Sequence, residues 1–409
     1  MTKLFKPLSI GESTYAHRIV MAPLTRYRCG DDWIPLPIVK GNLRLNISIL
    51  FHGQMAKSTP EYYAQRACVP GTLIISEATI PALRHAGRRN VPGIWSQAQI
   101  DAWREVTDLV HLRGCGIWCQ LWVQGRAGHR DVLDSVGSKL ISSSAVPLKG
   151  EDMPMPKAMS EEDIWETIED YASAARNAIE AGFDGVEIHG YHTSSTHDLS
   201  FKADDKDRAN GYLPDQFLQD TCNRRDDKWG GTIENRCRFH LEVAKAVTTA
   251  IGASKTAMRL SPWSDFLDML MEDPIPTFTY LVKELKKLRL GYLSLIEARL
   301  RGNEDCEVAA DKDVSFLVKL WDNASTVLIA GGFTPESACQ TVDEKYPDYD
   351  VGIIFGRYFV SNPDLVFRVK ESIDMLKYDR GVFYTPKEAH GYTDYPYCPK
   401  FLAHSTEVL

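Results

Sequence analysis

Eight short runs of apolar and β-branched residues recur along the chain, and their number constrains the fold more than any other feature. They cover residues 18–26, 72–80, 114–122, 185–189, 255–262, 291–298, 326–333 and 351–359. Near-continuous apolar strands are typical of parallel sheets that are covered on both faces. Helical patterns fit between most of the runs, and no linker rich in proline or serine divides the chain. The sequence therefore predicts a single α/β domain.

Two architectures can be built from such repeated βα units. Eight units predict a (β/α)8 TIM barrel, because that number of strands closes the sheet on itself. The alternative is an open, doubly wound sheet, but the Gly-x-Gly-x-x-Gly pattern that often comes after the first strand of such a sheet is missing. We therefore favour the barrel.

Three helix starts support this alternation of strands and helices. Ser160-x-x-Asp163 is a capping pattern, and the apolar residues after it recur on one helical face: Ile164, Ile168, Tyr171, Ala175 and Ile179. Thr334-Pro335 and Asn362-Pro363 each place a capping residue before a proline, which predicts a helix that begins at the proline.

The composition of the 409-residue chain argues against several other classes of protein. A net charge of −8 without a basic stripe argues against a nucleic-acid partner. No apolar run is long enough to span a membrane, and the first residues lack the apolar core of a signal peptide. Nine dispersed cysteines without a Cys-x-x-Cys pair are typical of reduced thiols, and the histidines form no metal-ligand cluster. We expect a cytoplasmic enzyme without a metal, either a monomer or a homodimer.

A barrel would bring the carboxyl ends of the eight strands together at one rim, where the active sites of such barrels lie. Polar residues and glycines collect at these ends in this chain. Gly331-Gly332, before the helix capped by Thr334, would offer backbone N–H groups to an anion, and Arg357 would add a charge. The pattern predicts a phosphate site, although Gly331-Gly332 alone could equally form a tight turn.

The strand 185–189 ends on His189 and suggests the chemistry of the site. If the polar segment 191–208 is left out, the sequence continues as His-Gly-Ala-Asn-Gly-Tyr, which places Asn210 three residues after His189 and Tyr212 two residues later. Two donors at a strand end can hold a carbonyl oxygen or an oxyanion, and a neighbouring phenol can deliver a proton.

These residues resemble the Old Yellow Enzyme family of FMN-dependent ene-reductases, and most of all its fungal members. The resemblance covers nearly the whole chain. It includes, in order, Met-Ala-Pro-Leu-Thr-Arg at 21–26, Trp-Gly-Gly-Thr-Ile-Glu-Asn-Arg at 229–236, Arg-Leu-Ser-Pro at 259–262, Phe-Gly-Arg-Tyr-Phe at 355–359 and Gly-Tyr-Thr-Asp-Tyr-Pro at 391–396.

The resemblance implies which residues bind the cofactor and the substrate. Those expected to contact FMN are Pro23, Thr25, Ala78, Gln120, Arg259, Gly331, Gly332, Phe333, Gly356 and Arg357. His189 and Asn210 would bind the carbonyl oxygen of an enone or enal, and Tyr212 would protonate its α-carbon. Trp122 and Tyr384 would form the pocket walls. The implied cycle is ping-pong, with NADPH as the reductant of FMN and an α,β-unsaturated aldehyde or ketone as the oxidant.

The chain departs from the family in two segments, 41–60 and 191–208. We interpret both as insertions, either translated introns or tolerated surface loops. Codons exist that make each segment begin with GT and end with AG in frame, which favours introns. The second segment also creates a His-x-x-His spacing, His189 to His192, that other family members use in place of His-x-x-Asn.

Three functions remain open from the sequence. The first is net reduction of an activated C=C bond in fungal secondary metabolism, which the phenol of Tyr212 favours. The second is isomerisation, in which the same flavin lends and recovers a hydride. The third is a catalytically impaired flavin-binding product, because the second insertion separates His189 from Asn210.

Overall fold

The eight predicted strands lie side by side in a closed parallel barrel. The computed structural model describes residues 2–36, 59–190, 211–298, 300–301, 304–305 and 312–407. In chain order its strands are β1 Leu8–Ile10, β2 Ser13–Tyr15, β3 Ile19–Met21, β4 Leu73–Ile75, β5 Gly116–Leu121, β6 Ile141–Ser142, β7 Lys157–Ala158, β8 Gly185–His189, β9 Thr256–Leu260, β10 Tyr292–Ile296, β11 Leu300–Arg301, β12 Glu304–Asp305, β13 Thr326–Ala330 and β14 Val351–Phe355. Strands β3, β4, β5, β8, β9, β10, β13 and β14 succeed one another around the barrel, which confirms the predicted TIM barrel.

Helices connect successive barrel strands and cover the outside of the barrel. They are α1 Thr59–Arg66, α2 Gln97–Leu112, α3 Arg130–Ser135, α4 Glu161–Glu180, α5 Leu213–Leu218, α6 Ile233–Ile251, α7 Ile275–Lys286, α8 Ser315–Trp321, α9 Pro335–Gln340, α10 Arg357–Ser361, α11 Leu365–Lys370 and α12 Pro399–Glu407. None of the helices in the described part of the chain combines the length and the apolar character that a membrane span requires.

Two of the three predicted helix starts are confirmed. Ser160 caps α4 in a reciprocal capping box with Asp163, and Thr334 caps α9, which begins at Pro335. The predicted start at Asn362-Pro363 is wrong, because α11 begins at Leu365 and its N-cap is Asp364. The Asn362 side chain instead accepts a hydrogen bond from the backbone N–H of Leu376 at 2.8 Å, so it fixes the chain after the helix.

The core has two layers. The larger one packs the outer faces of the strands against the helices, and α4 buries Ile164, Ile168 and Tyr171 in it. The smaller one fills the barrel, where Trp118 and Tyr292 pack with their ring centroids 4.9 Å apart. The hairpin of β1 and β2 contributes Leu8, Ile10 and Tyr15 to this inner layer and thereby closes the barrel from one end.

The two predicted insertions lie almost entirely outside the described residues. Of the first, only Thr59 and Pro60 are described, and they form the first turn of α1. Of the second, none is described, and neither is the catalytic candidate Asn210 shortly after it. His192 likewise lies outside the described residues.

Candidate active site

A cavity of about 220 Å³ opens at the carboxyl ends of β3, β13 and β14. Most of the predicted cofactor residues line it, together with one predicted pocket wall: Pro23, Thr25, Arg259, Gly331, Gly332, Phe333, Gly356, Arg357 and Tyr384. These residues come from distant parts of the chain, and the closed barrel brings their strand ends to one rim.

One end of the cavity has the features of an anion cradle. Gly332 has φ +62°, a left-handed conformation that glycine adopts at little cost. A Cβ on Gly331 would lie 3.0 Å from the Cβ of Glu297, so any larger residue would crowd this side chain. Arg357 stands beside this turn, with its guanidinium carbon 5.4 Å from the ring centroid of Tyr378. Exposed backbone and a fixed cation suit a phosphate group.

The inner end of the cavity offers polar groups to a ring system. The hydroxyl of Thr25 is buried and has no hydrogen-bond partner among the described residues. The guanidinium of Arg259 donates to the Ser294 hydroxyl at 3.0 Å, which fixes its position at the wall. A buried polar atom without a partner costs free energy, so the Thr25 hydroxyl is explained by a bound polar group. The residues present therefore fit FMN: the glycine turn and Arg357 would hold its phosphate, and Thr25 and Arg259 would offer polar groups to its ring.

Beside the cavity, three predicted substrate residues meet. The ring of Tyr212 lies 5.3 Å from that of His189 and 5.0 Å from that of Trp122, both edge to face. His189 is the last residue of β8 and pairs in register with Arg259 of β9. The predicted proton donor, Tyr212, and the predicted carbonyl-binding residue, His189, therefore lie close together beside this cavity.

Local backbone contacts hold Tyr212 in this place. The N–H of Leu213 donates to the carbonyl of Val123 at 3.0 Å, and Tyr212 is the N-cap of α5. Gly211 has φ +77°, and a Cβ there would lie 2.6 Å from Cγ of Met269. Burial raises the pKa of the Tyr212 phenol, while the charge of Arg88 acts in the opposite direction. The phenol therefore keeps its proton at neutral pH.

Two predicted cofactor residues lie outside the lining of this cavity. Ala78 packs in the apolar cluster that contains Trp122 and Tyr212. Gln120 is fully buried in the barrel, where its side-chain amide donates to the carboxylate of Glu187 at 2.6 Å. Tyr384 lines the cavity and also packs against the Trp122 cluster, so it joins the two parts of the site.

Several residues of the site were not predicted from the sequence. The additional lining residues are Ala22, Leu24, Arg26, Ala330, Thr334, Ile354, Phe355, Tyr358, Val360, Tyr378 and Phe383. Arg26 donates to the carbonyl oxygens of Phe383 at 3.0 Å and of Gly391 at 2.5 Å, so it fastens the C-terminal segment to the rim. The sequence motif at 391–396 marks this segment as part of the family pattern, but only the fold shows that the segment contacts Arg26.

Comparison with known proteins agrees with this geometry. The family model described as NADH:flavin oxidoreductase / NADH oxidase matches residues 48–194 and 207–375. The chain is 47% identical over 402 residues to a chanoclavine-I aldehyde reductase of Penicillium roqueforti, with 98% of both chains covered. It is 46% identical over 403 residues to an NADP-dependent oxidoreductase of Aspergillus flavus, with 97% of both covered.

Two further comparisons bear on activity and fold. A protein of Epichloe festucae var. lolii that is called a probable inactive reductase is 42% identical over 409 residues, covering 99% of this chain and 97% of its own. The solved structure of Old Yellow Enzyme from a Pichia species is 32% identical, with a TM-score of 0.80 and coverage of 97% of this chain and 94% of that one.

A closed βα barrel with a rim cavity whose residues fit FMN is typical of a flavin-binding oxidoreductase. The chain belongs to the NADH:flavin oxidoreductase / NADH oxidase family, with the fold of Old Yellow Enzyme. The predicted family, fold and FMN cofactor are thereby confirmed.

Proposed function

We propose that this protein uses NADPH to reduce the activated C=C bond of an α,β-unsaturated aldehyde or ketone. The observation that carries the proposal is the cluster of His189, Tyr212 and Trp122 beside a cavity that fits FMN. A hydrogen-bonding strand end and a protonated phenol at one rim suit a substrate whose carbonyl is polarised while its α-carbon takes up a proton.

The chain's own residues would divide the chemistry among them. FMN, when bound, supplies the transfer of hydride from reduced nicotinamide to the β-carbon of the substrate. His189, together with Asn210, would hold the carbonyl oxygen and stabilise the negative charge that develops on it. Tyr212 would donate the proton to the α-carbon. Trp122 and Tyr384 would enclose the substrate and exclude water from the reacting atoms.

The relatives support both the reductant and the substrate class. One is named for reduction of chanoclavine-I aldehyde and another for dependence on NADP. We propose a small aldehyde or enone of fungal secondary metabolism as the substrate, and a cytoplasmic monomer or homodimer as the working form. The phenol of Tyr212 favours net reduction over isomerisation, because it supplies the second hydrogen of the product.

The visible absorption spectrum of the purified 409-residue protein tests the proposal. The spectrum should show bound flavin, which bleaches with NADPH under anaerobic conditions and returns when cyclohexenone is added. A protein that stays colourless with added FMN would contradict the proposed cofactor site. Flavin that bleaches but does not recover with cyclohexenone or other enones and enals would instead place the protein beside its relative that is called inactive.

We also propose that segments 41–60 and 191–208 are translated introns. The rings of His189 and Tyr212 are 5.3 Å apart. Without 191–208, the four residues between them could span about 13–14 Å when extended, which is ample. The family match supports an insertion in the second segment, where it is interrupted at 195–206, but not in the first, since it includes 48–60. Sequencing of mature transcripts tests this proposal, and the presence of both segments in nearly all of them would contradict it.

A further inference from the structure

A buried carboxylate lies at the centre of a hydrogen-bond network inside the barrel. Glu187, in the middle of β8, is fully buried. One of its oxygens accepts the side-chain amide of Gln120 at 2.6 Å, and the other accepts the hydroxyl of Tyr292 at 3.1 Å. Gln120 pairs in register with Glu187, so the bond joins neighbouring strands.

The same network reaches the arginine of the cofactor cavity. Arg259 lies on β9, the strand next to Glu187, and its guanidinium favours the charged form of the Glu187 carboxyl. Arg259 also donates to the Ser294 hydroxyl of β10 at 3.0 Å. Glu187 is therefore linked to two residues that the family resemblance places at the flavin ring, Gln120 by a hydrogen bond and Arg259 by charge.

Packing does not explain a carboxyl group at this position. An apolar side chain would fill the barrel interior without the desolvation cost of a buried charge. Burial raises the pKa of Glu187, whereas the positive charge of Arg259 and the hydrogen bonds from Gln120 and Tyr292 act in the opposite direction and favour its charged form. A buried carboxyl group that is hydrogen-bonded to one site residue and lies within the electrostatic influence of another points to a role in the site.

We propose that Glu187 is a positioning residue that fixes the side-chain amide of Gln120 and balances the charge of Arg259, and thereby sets the reduction potential of bound FMN. This inference rests on the proposed flavin site. It adds a residue that does not touch the cofactor cavity, because Glu187 is not among the residues that line it.

The hydrogen-bonding capacity of each partner supports this role. A carboxylate accepts hydrogen bonds only, so Gln120 must turn its NH2 group toward Glu187. The amide oxygen of Gln120 is then buried without a partner among the described residues. Gln120 does not line the cavity, but at the position beside the ring that the family resemblance gives it, this oxygen would accept from an N–H group of the ring. The negative charge of Glu187 also offsets Arg259, which on its own would favour the more negative, reduced ring.

Glu187→Gln tests the charge, and Tyr292→Phe tests the hydrogen bond. In the FMN-bound protein, Glu187→Gln should favour reduced over oxidised FMN by about tenfold, which equals a potential about 30 mV higher for a two-electron couple. Tyr292→Phe keeps the ring that packs on Trp118. It should shift the potential in the same direction by less, because it removes one hydrogen bond that favours the charged form of Glu187 but leaves the carboxyl group in place. The potential is measured by equilibration with a reference dye.

Asp364→Asn is the matched control, because it neutralises another buried carboxyl that is paired with an arginine, Arg368 at 2.7 Å, on the outer helix α11. It should lower thermal stability and leave the potential unchanged. A Glu187→Gln protein that holds FMN at the wild-type potential would overturn the inference and leave the proposed function standing. If that variant does not fold, an unchanged potential in Tyr292→Phe would overturn it. A wild-type protein that binds no FMN would overturn both proposals.

Discussion

At the scale of single residues, Tyr212 combines a reactive hydroxyl with a rigid surrounding. Its ring is held edge to face by His189 and Trp122, and its backbone is fixed by α5 and by the Val123 carbonyl. Because the ring is held by packing, a change of the hydroxyl alone can be tested without loss of the pocket shape.

Tyr212→Phe should lower the rate of net C=C reduction by about 100-fold or more, the usual range for loss of a general acid. Reduction of bound FMN by NADPH should keep its wild-type rate, because that step needs no proton from Tyr212. Stopped-flow absorbance measures the two half-reactions separately. Tyr15→Phe, which removes the hydroxyl of another buried tyrosine, on β2 at the closed end of the barrel, should affect neither. Unchanged enone turnover in Tyr212→Phe would show that another group supplies the proton.

Asp215, in α5 close to Tyr212, should make the protein less stable as the pH rises. Burial raises the pKa of Asp215 to about 7 from 3.8, although its carboxylate accepts a hydrogen bond from the Gln219 side chain at 3.0 Å. The unfolded chain therefore loses its proton at lower pH than the folded chain. The free energy that the protonated Asp215 contributes to folding is fully present below pH 3.8. It declines until about pH 7, where the carboxyl ionises in the folded state as well.

Asp215→Asn removes this loss, so the difference in melting temperature between variant and wild type should become more positive from pH 4 to pH 7.5. The corresponding free energy is at most about 4 kcal/mol, at about 1.4 kcal/mol per pKa unit. Thermal unfolding monitored by circular dichroism at several pH values measures it. The matched control is Asp220→Asn, because Asp220 is exposed just after α5. A difference that stays flat with pH would contradict the raised pKa.

At the scale of elements, the sequence predicted the strands better than it predicted the segments between them. The predicted run 185–189 begins and ends at the same residues as β8, whereas the run 18–26 contains only the three strand residues Ile19–Met21. Residues 22–26 leave the sheet to line the cavity, so the apolar residues among them line the site and do not pair in a strand. The Asn362 cap failed for a similar reason, since its hydrogen-bond partner Leu376 lies beyond the helix.

The glycine turn after β13 gives a prediction at this scale. Gly331→Ala would place a Cβ 3.0 Å from Cβ and Cγ of Glu297 and 3.3 Å from Cε2 of Phe333. Glu297 has little freedom to move away, because its carboxylate accepts from Lys345 at 3.1 Å and from the Val314 N–H at 3.3 Å. The turn must shift, so the Kd for FMN should rise about tenfold, or about 1.4 kcal/mol.

Quenching of FMN fluorescence on titration of the apoprotein measures this Kd. Gly381→Ala is the control, because its Cβ would meet only the Asp379 carboxylate, at 3.3 Å, outside the cavity. An unchanged Kd for Gly331→Ala would mean that the turn does not contact the phosphate.

At the scale of the whole molecule, the sequence could predict the barrel because each of the eight apolar strand runs needs neighbouring strands to pair with. It could also predict where the cavity lies and nine of the twenty residues that line it, since strand ends must share one rim. It could not predict the Glu187 network, because the pairing of Gln120 with Glu187 depends on the register between β5 and β8. Nor could it predict which part of the C-terminal segment meets Arg26, a contact between residues 365 positions apart.

The two insertions lead to the prediction that concerns the whole chain. Long loops cost little closure entropy, only about 0.6 kcal/mol for each doubling of length, so neither segment alone should prevent the barrel from folding. The second segment, however, stands between His189 and Asn210, which hold one oxygen together in the proposed mechanism. A displaced donor loses the alignment on which stabilisation of the carbonyl oxygen depends, and this affects catalysis far more than folding.

A chain lacking residues 41–60 and 191–208 should therefore bind FMN as tightly as the 409-residue chain and reduce cyclohexenone with a kcat/KM at least about tenfold higher, which corresponds to about 1.4 kcal/mol of transition-state stabilisation. A chain lacking 41–60 alone is the control, and it should behave like the full chain, because its donor pair is still separated. Steady-state NADPH oxidation under anaerobic conditions measures all three proteins.

Equal kcat/KM values would show that the 409-residue chain already presents a complete donor pair, with His192 as the candidate for the second donor. A gain that appears on removal of 41–60 alone would instead locate the impairment at the entry to α1, where Thr59 donates its N–H to the carbonyl of Leu36 at 3.1 Å.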